Sequence, residues 1–135
     1  MMLLFESVMS NEISIETERW YLQSLEEGRL TSALVILRHA IECRDSEELG
    51  EKLCDIGERH KECGKLSSAE RHLVLALSVY EHFCPNAHHI ALRAARLRIE
   101  VLQEEDNTDH LKEALDDAFT LVWRLKKFIR LGKVQ

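Results

Sequence analysis

The side chains best suited to chemistry are seven histidines and four cysteines, and one group of them is close together in sequence. Cys84 stands among His82, His88 and His89, and a histidine beside a cysteine can lower the pKa of the thiol and make it a nucleophile. A zinc site would need four ligands in close pairs such as C-x2-C, which this sequence lacks. In the alternative interpretation these side chains decorate helix surfaces or fill core gaps. We therefore expect no catalytic residues, no metal and no cofactor.

Other catalytic signatures are missing as well. The sequence has no glycine-rich phosphate loop, no G-x-S-x-G and no H-E-x-x-H motif. The acidic runs Asp116-Asp117 and Glu104-Glu105-Asp106 are typical of solvated helix faces or of acids near helix starts. These observations favour a protein that is not an enzyme.

Charge is distributed unevenly along the 135 residues. All 24 acidic residues and 13 of the 18 basic ones lie within residues 1–119, whereas residues 120–135 carry five bases and no acid. An acidic body repels nucleic acid, so no nucleic-acid partner is expected. No stretch reaches the roughly 20 apolar residues that span a bilayer, and residues 1–5 lack the basic start of a signal peptide. The four cysteines then indicate reduced thiols in the cytoplasm.

The basic end has two interpretations. Arg124, Lys126, Lys127, Arg130 and Lys133 favour a helix C-terminus through the helix dipole, which requires no partner. They would also suit contact with an anionic membrane or an acidic protein, with nearby apolar side chains as anchors. We favour the first interpretation.

The chain repeats itself. The segment that begins at Gly28 matches the segment that begins at Gly64, and a weaker third copy follows 42 residues after the second. In each of the first two copies, the glycine is suited to end one helix. In the second copy, Ser67 with Glu70 would form a capping box for the next helix. An apolar stripe then follows with helical spacing, at Ala69, Leu73, Ala76 and Leu77, with Leu111, Leu115, Ala118 and Phe119 in the third copy.

This pattern resembles the tetratricopeptide repeat family. The central unit carries the resemblance best, with Ile56-Gly57 in its first helix, Gly64 at the turn, and Ala69, Leu73 and Ala76 in its second helix. The first unit departs from the family, because Trp20-Tyr21 stand at the apolar-small pair. The third unit lacks a turn glycine and has Glu104-Glu105-Asp106-Asn107 instead.

The linker after the second unit resembles the longer, 42-residue variant of kinesin light chains. Residues 76–81 (ALSVYE) match the end of the second helix in that variant, and Cys84-Pro85-Asn86 with Ile90-Ala91 match its linker. The His-Pro pair of that linker is replaced by Ala87-His88.

The sequence thus predicts an all-α, single domain that spans residues 1–135. We expect an N-terminal extension (1–11), hairpin 1 (12–44), hairpin 2 (46–84), and hairpin 3 with a long C-terminal capping helix (87–131). The predicted helices span residues 12–27, 30–44, 47–63, 67–83, 87–104 and 108–131. The resemblance implies a right-handed superhelix of these three hairpins.

It also implies a function, because the first helix of each hairpin lines a concave, partner-binding groove in this family. We therefore predict a non-catalytic interaction module that binds a peptide or helix of another protein. The alternative is a structural unit that self-assembles, either as a homodimer through its N-terminal or C-terminal helix or as part of a longer solenoid. By register the groove residues are Glu18, Arg19, Leu22 and Glu26, then Cys54, Asp55, Glu58 and Glu62, and finally Ala95, Arg96, Ile99 and Gln103.

Overall fold

Residues 14–130 are described by a computed structural model, and they form six α-helices and no strand. The predicted N-terminal extension lies outside the described residues. Within them, no helix is both long enough and apolar enough to cross a bilayer. The helices are α1 (Ile15–Glu26), α2 (Leu30–Ala40), α3 (Ser46–Glu62), α4 (Leu66–Phe83), α5 (His88–Glu105) and α6 (Thr108–Arg130).

The all-α prediction is therefore confirmed, and most predicted helix ends agree with the structure to within a residue or so. The largest differences are that α1 begins three residues later than predicted, at Ile15, and that α2 ends four residues earlier, at Ala40. The backbone of Ile41, which follows α2, is already extended.

Three turns share one backbone design. Gly28, Gly64 and Asp106 have positive φ angles of 76°, 77° and 58°. In each turn the next amide donates to the carbonyl five residues back, at 2.8, 2.8 and 3.1 Å, which is the Schellman arrangement at a helix C-terminus. Asp106 therefore fills the position at which the third repeat lacks glycine. The turns are 36 and 42 residues apart, so they follow the repeat in the sequence.

The helix starts agree less well with expectation. The capping box predicted at Ser67 is wrong: α4 begins at Leu66, and Lys65 before it makes no side-chain cap. The cap of α6 is Asn107, whose Oδ1 accepts a hydrogen bond from the amide of His110 at 3.1 Å.

The chain forms two compact units that divide between Asp45 and Ser46. The described part of the first unit contains α1 and α2, which pack against each other. Tyr21, Ala33 and Leu37 are fully buried there, while Trp20 is 58% exposed. The pair Trp20-Tyr21 thus splits into one surface and one core residue.

The second unit contains α3 to α6. Helix α4 packs against both α3 and α5, and α6 packs against α5. Leu73 of α4 belongs to a core cluster with Ala69 and with Leu97 and Val101 of α5. Gly57 allows α3 to approach this cluster closely, since a Cβ atom there would lie 2.7 Å from a methyl carbon of Leu73.

The apolar stripe of the third repeat is not in the core. Leu115 is 49% exposed and Phe119 is 73% exposed, whereas Leu73, the counterpart of Leu115 in α4, is fully buried. Among residues 108–127 of α6, the buried side chains are Ala114 and Leu121. This stripe thus differs in burial from its counterpart in α4, because no described helix after α6 covers it.

A buried guanidinium connects the last three helices. Arg98 of α5 is only 6% exposed, and its Nη1 donates to Oδ2 of Asp117 on α6 at 3.1 Å. Its Nε lies 3.9 Å from a carboxylate oxygen of Glu70 on α4 and has no hydrogen-bond partner of its own. Charge pairing thus accompanies the apolar packing between α4, α5 and α6.

Candidate functional site

The most distinctive surface of the second unit is a set of ion pairs between α3 and α5, here called the α3–α5 ladder. His89 Nε2 lies 2.9 Å from a carboxylate oxygen of Glu51. Arg93 then reaches Asp55 at 2.8 Å and Glu58 at 2.9 Å. The partners advance together along both helices, so α3 and α5 run parallel.

The ladder continues towards the C-terminal ends of the two helices. Lys61 Nζ lies 3.4 Å from Glu100 and 3.5 Å from Glu104. Arg96 Nη1 also contacts Glu100, at 2.8 Å within the same helix. Glu100 therefore contacts both Lys61 of α3 and Arg96 of α5. Because Arg96 is exposed, the ladder extends from the edge of α5 next to α3 to the exposed side of α5, here called its outward side.

The electrostatic balance of the ladder is acidic. It contains three full cations, Lys61, Arg93 and Arg96, together with His89. Against them stand six carboxylates, those of Glu47, Glu51, Asp55, Glu58, Glu100 and Glu104. Burial lowers the pKa of Arg93, but the hydrogen bonds that its guanidinium donates to Asp55 and Glu58 outweigh this effect and leave the pKa raised. A side-chain hydrogen bond with Glu100 raises the pKa of Lys61. These cations stay charged, and the excess carboxylates leave a negative surface.

Two of the groove residues predicted on α3, Asp55 and Glu58, belong to this ladder, and a third, Glu62, is exposed on the same helix. The prediction that Cys54 lines the groove is wrong, because its side chain is fully buried. Its thiol points at the carbonyl oxygen of Ile90, 3.9 Å away, so a partner cannot reach it. Burial raises the pKa of this thiol from 9.0 to about 12, and it stays protonated at neutral pH.

Three of the four residues predicted on α5, Ala95, Arg96 and Ile99, line an apolar groove between α5 and α6, and Gln103 does not. Arg96 and Gln103 are exposed, while Ala95 and Ile99 are half-buried. The groove has a volume of about 300 Å³. Its apolar walls are Leu92, Ala95, Ile99, Ala118, Leu121 and Val122. Arg96 and Glu100 also line it, so it lies beside the ladder across the outward side of α5.

The residues predicted on α1 lie in the other compact unit. Arg19 and Glu26 are exposed, and Glu18 is half-buried. Leu22 has only 9% of its surface exposed, so it contributes to packing more than to a binding surface. Glu18, Arg19 and Glu26 therefore form an accessible polar surface on α1, and Leu22 does not belong to it.

Hydrogen bonds within and between helices engage the histidines near Cys84. His82 Nδ1 bonds to the Ser78 carbonyl at 2.9 Å, His88 Nδ1 to the Tyr80 hydroxyl at 3.0 Å, and His89 joins the ladder. The Cys84 thiol points at the carbonyl of Val79 at 3.6 Å. Hydrogen bonds of this kind stabilise helix ends and the contacts between helices.

Sequence reasoning missed the exposed apolar residues of the last two helices. Leu92 is 43% exposed, Val122 42% and Trp123 60%. The sequence does show apolar residues of α6 outside a single core stripe, which indicates a helix with two apolar faces. The repeat register hid this signal, because it aligned Leu115 and Phe119 with Leu73 and Leu77 of α4.

Comparisons of this chain with protein-family models, with curated proteins and with solved structures find no match.

Proposed function

We propose that this protein is a tetratricopeptide-like, non-catalytic module that binds a segment of a partner protein. The binding surface is the outward side of α5 with its two borders, the α3–α5 ladder and the α5–α6 groove. The excess of carboxylates over cations in the ladder is the observation that carries this proposal. We also place the protein in the cytoplasm, in keeping with its four unbridged cysteines.

Two features of the fold support the resemblance. The α3–α5 ladder has the parallel arrangement that stacked hairpins give to their first helices. The Schellman turns occur at Gly28, Gly64 and Asp106, with the spacings of the sequence repeat. In such arrays the first helices form the ligand-facing surface, and α3 and α5 are the corresponding helices in this proposal.

The chemistry of the surface defines the partner. Surplus carboxylates attract lysine or arginine side chains, which would approach from the exposed side of the ladder. The neighbouring groove has room for an aliphatic side chain between Leu92, Ile99 and Val122. The partner segment we infer therefore combines basic residues with an apolar residue, as an amphipathic helix or an extended peptide does.

Charge reversal tests this proposal. A Glu51→Lys/Glu104→Lys variant reverses one carboxylate near each end of the ladder, and Glu16→Lys/Glu81→Lys is a control outside it with the same change in net charge. Proteins that bind the immobilised wild-type chain should also bind the control and should be lost from the ladder variant. Quantitative mass spectrometry of the bound proteins measures this difference.

The outcome that contradicts the proposal is equal recovery of the same proteins on all three chains. Circular dichroism of the variants is needed beside the binding assay. Glu104 is about half exposed and its Lys61 contact is 3.5 Å long, so the reversals should leave the helical signal unchanged.

A further inference from the structure

Helix α6 has an apolar face that no other described helix covers and that the ladder does not involve. Leu115, Phe119, Val122 and Trp123 are 49%, 73%, 42% and 60% exposed. Their spacing places them within about 100° of one another around the helix. We call these four residues the outer stripe. They lie on a different side of the helix from Ala114 and Leu121, which are buried.

The equivalent face of the preceding hairpin is used for helix packing. Leu73 and Tyr80 of α4 are 0% and 5% exposed, and Leu73 packs on Leu97 of α5. The residues 42 positions later are Leu115 and Val122, and no described helix covers them. The outer stripe therefore resembles a surface against which another helix packs. Its residues are contiguous, and a contiguous apolar patch indicates an interaction site, whereas a single exposed apolar residue does not.

The size of this surface suits pairing with an equal surface. With the exposed fractions above, the outer stripe presents roughly 400 Å² of apolar area per copy, mostly from its two aromatic rings. Two such stripes with their flanking charged side chains reach roughly 1,200 Å² in total, which is the lower end of stable specific interfaces.

The charges of α6 define an orientation. Its first ten residues contain four acids, Asp109, Glu113, Asp116 and Asp117, against one full cation, Lys112. Its last thirteen contain four cations, Arg124, Lys126, Lys127 and Arg130, and no acid. Two parallel copies of α6 would place like charges together, whereas two antiparallel copies place each acidic half beside a basic half.

We propose that two copies of this chain pair through their outer stripes, with the two α6 helices antiparallel and Phe119 near the two-fold axis. Such an isologous contact is self-complementary, as a closed dimer requires. Phe119 packs against its symmetry mate, and Trp123 packs towards the N-terminal half of the opposite helix. No ladder residue belongs to this pairing, but Val122 of the outer stripe also lines the α5–α6 groove, so the dimer would cover one wall of that groove. The ladder variants and the stripe variants therefore test the two proposals separately.

Sedimentation velocity over a concentration series is the direct test. We expect the dimer fraction of the wild-type chain to rise over about 1–100 μM. Phe119→Glu should abolish the dimer, and Phe83→Glu should not, since Phe83 is similarly exposed (57%) at the end of α4. In a Trp20→Phe background, Trp123 is the sole tryptophan and its emission should shift to shorter wavelength as the dimer forms.

Charge variants test the orientation. Lys126→Glu/Lys127→Glu should be monomeric, and so should Asp109→Lys/Asp116→Lys. An equimolar mixture of the two should form heterodimers, because the acidic half of one variant then meets the basic half of the other. In a parallel dimer each double variant would instead reduce the repulsion between like-charged halves, so a double variant that dimerises better than the wild type would refute the antiparallel arrangement.

A wild-type chain that stays monomeric at about 100 μM in low salt would overturn the proposal. A monomer with a concentration-independent, short-wavelength Trp123 emission would assign the outer stripe to another part of the same chain, such as residues 1–13. Dimers that survive Phe119→Glu would place the contact on a different surface.

Discussion

Gly57 provides the sharpest test of the packing between α3 and α4. A Cβ atom at this position would lie 2.7 and 2.8 Å from Cδ2 and Cγ of Leu73, and Leu73 is fully buried. On helix propensity alone, Gly57→Ala would stabilise the protein by about 1 kcal/mol. Overpacking against a side chain that cannot move outward costs about 3 kcal/mol, the upper part of the usual range. The expected net loss in the free energy of unfolding is about 2 kcal/mol.

Urea denaturation followed by far-UV circular dichroism measures this loss. Gly50→Ala is the matched control, because a Cβ there meets methyl carbons of Ile90 at 3.1 and 3.2 Å and needs a shift of a few tenths of an ångström. We expect its overpacking cost and its propensity gain to cancel, to within about 0.5 kcal/mol.

A double variant isolates the contact itself. Leu73→Ala alone should destabilise by about 2–5 kcal/mol, as other large-to-small core substitutions do. In that background Gly57→Ala has space, so it should now stabilise, by up to about 1 kcal/mol. The change of sign corresponds to a coupling of about 3 kcal/mol between the two sites. A Gly57→Ala chain as stable as the wild type, or a loss of equal size in both backgrounds, would refute the packing argument.

Three further predictions concern groups whose surroundings the structure defines. Arg98→Ala removes the cation that Asp117 and Glu70 share and should lower the free energy of unfolding by about 2 kcal/mol in urea titrations; an unchanged midpoint would count against this pairing. The pKa of Cys54 is raised from 9.0 to about 12 in the folded chain, so the unfolded chain loses this proton at lower pH. The free energy of unfolding should therefore fall above pH 9 by about 1.4 kcal/mol per pH unit. Cys54→Ala should remove that part of the pH dependence. Asp106→Gly relieves a left-handed backbone and should stabilise by about 0.5 kcal/mol in thermal melts, and a lower melting temperature would show that the aspartate side chain matters more than the backbone.

The helices and two of the three shared turns follow from the sequence by local physics. Gly28 and Gly64 indicate helix ends because glycine accepts positive φ angles freely, and the apolar periodicity between them predicts the helices. Asp106 adopts the same conformation, but the sequence around it shows only an acidic run. The backbone there is defined by the helices on either side, and an aspartate tolerates it.

The ladder and the outer stripe could not be predicted from local sequence patterns. Arg93 finds Asp55 and Glu58 only because α3 and α5 run parallel at one particular register, and that register is a product of tertiary packing. Cys54 was assigned to the groove by family register, although one helical position is enough to turn a side chain into the core. The repeat register aligns Phe119 with Leu77 of α4, and it carries no information on whether another helix packs against the third unit.

The three Schellman turns also bear on how the chain folds. Each connects helices that are neighbours in sequence, so the first tertiary contacts close short loops, and topologies with such local contacts fold fast. Gly28 and Gly64 enter the turn conformation without strain, whereas Asp106 must adopt φ 58° with a side chain present. Stacked-hairpin chains can nucleate at any unit and grow from it. We therefore expect the α3–α4 hairpin to form before α5–α6, so that α5 docks onto a surface that already exists.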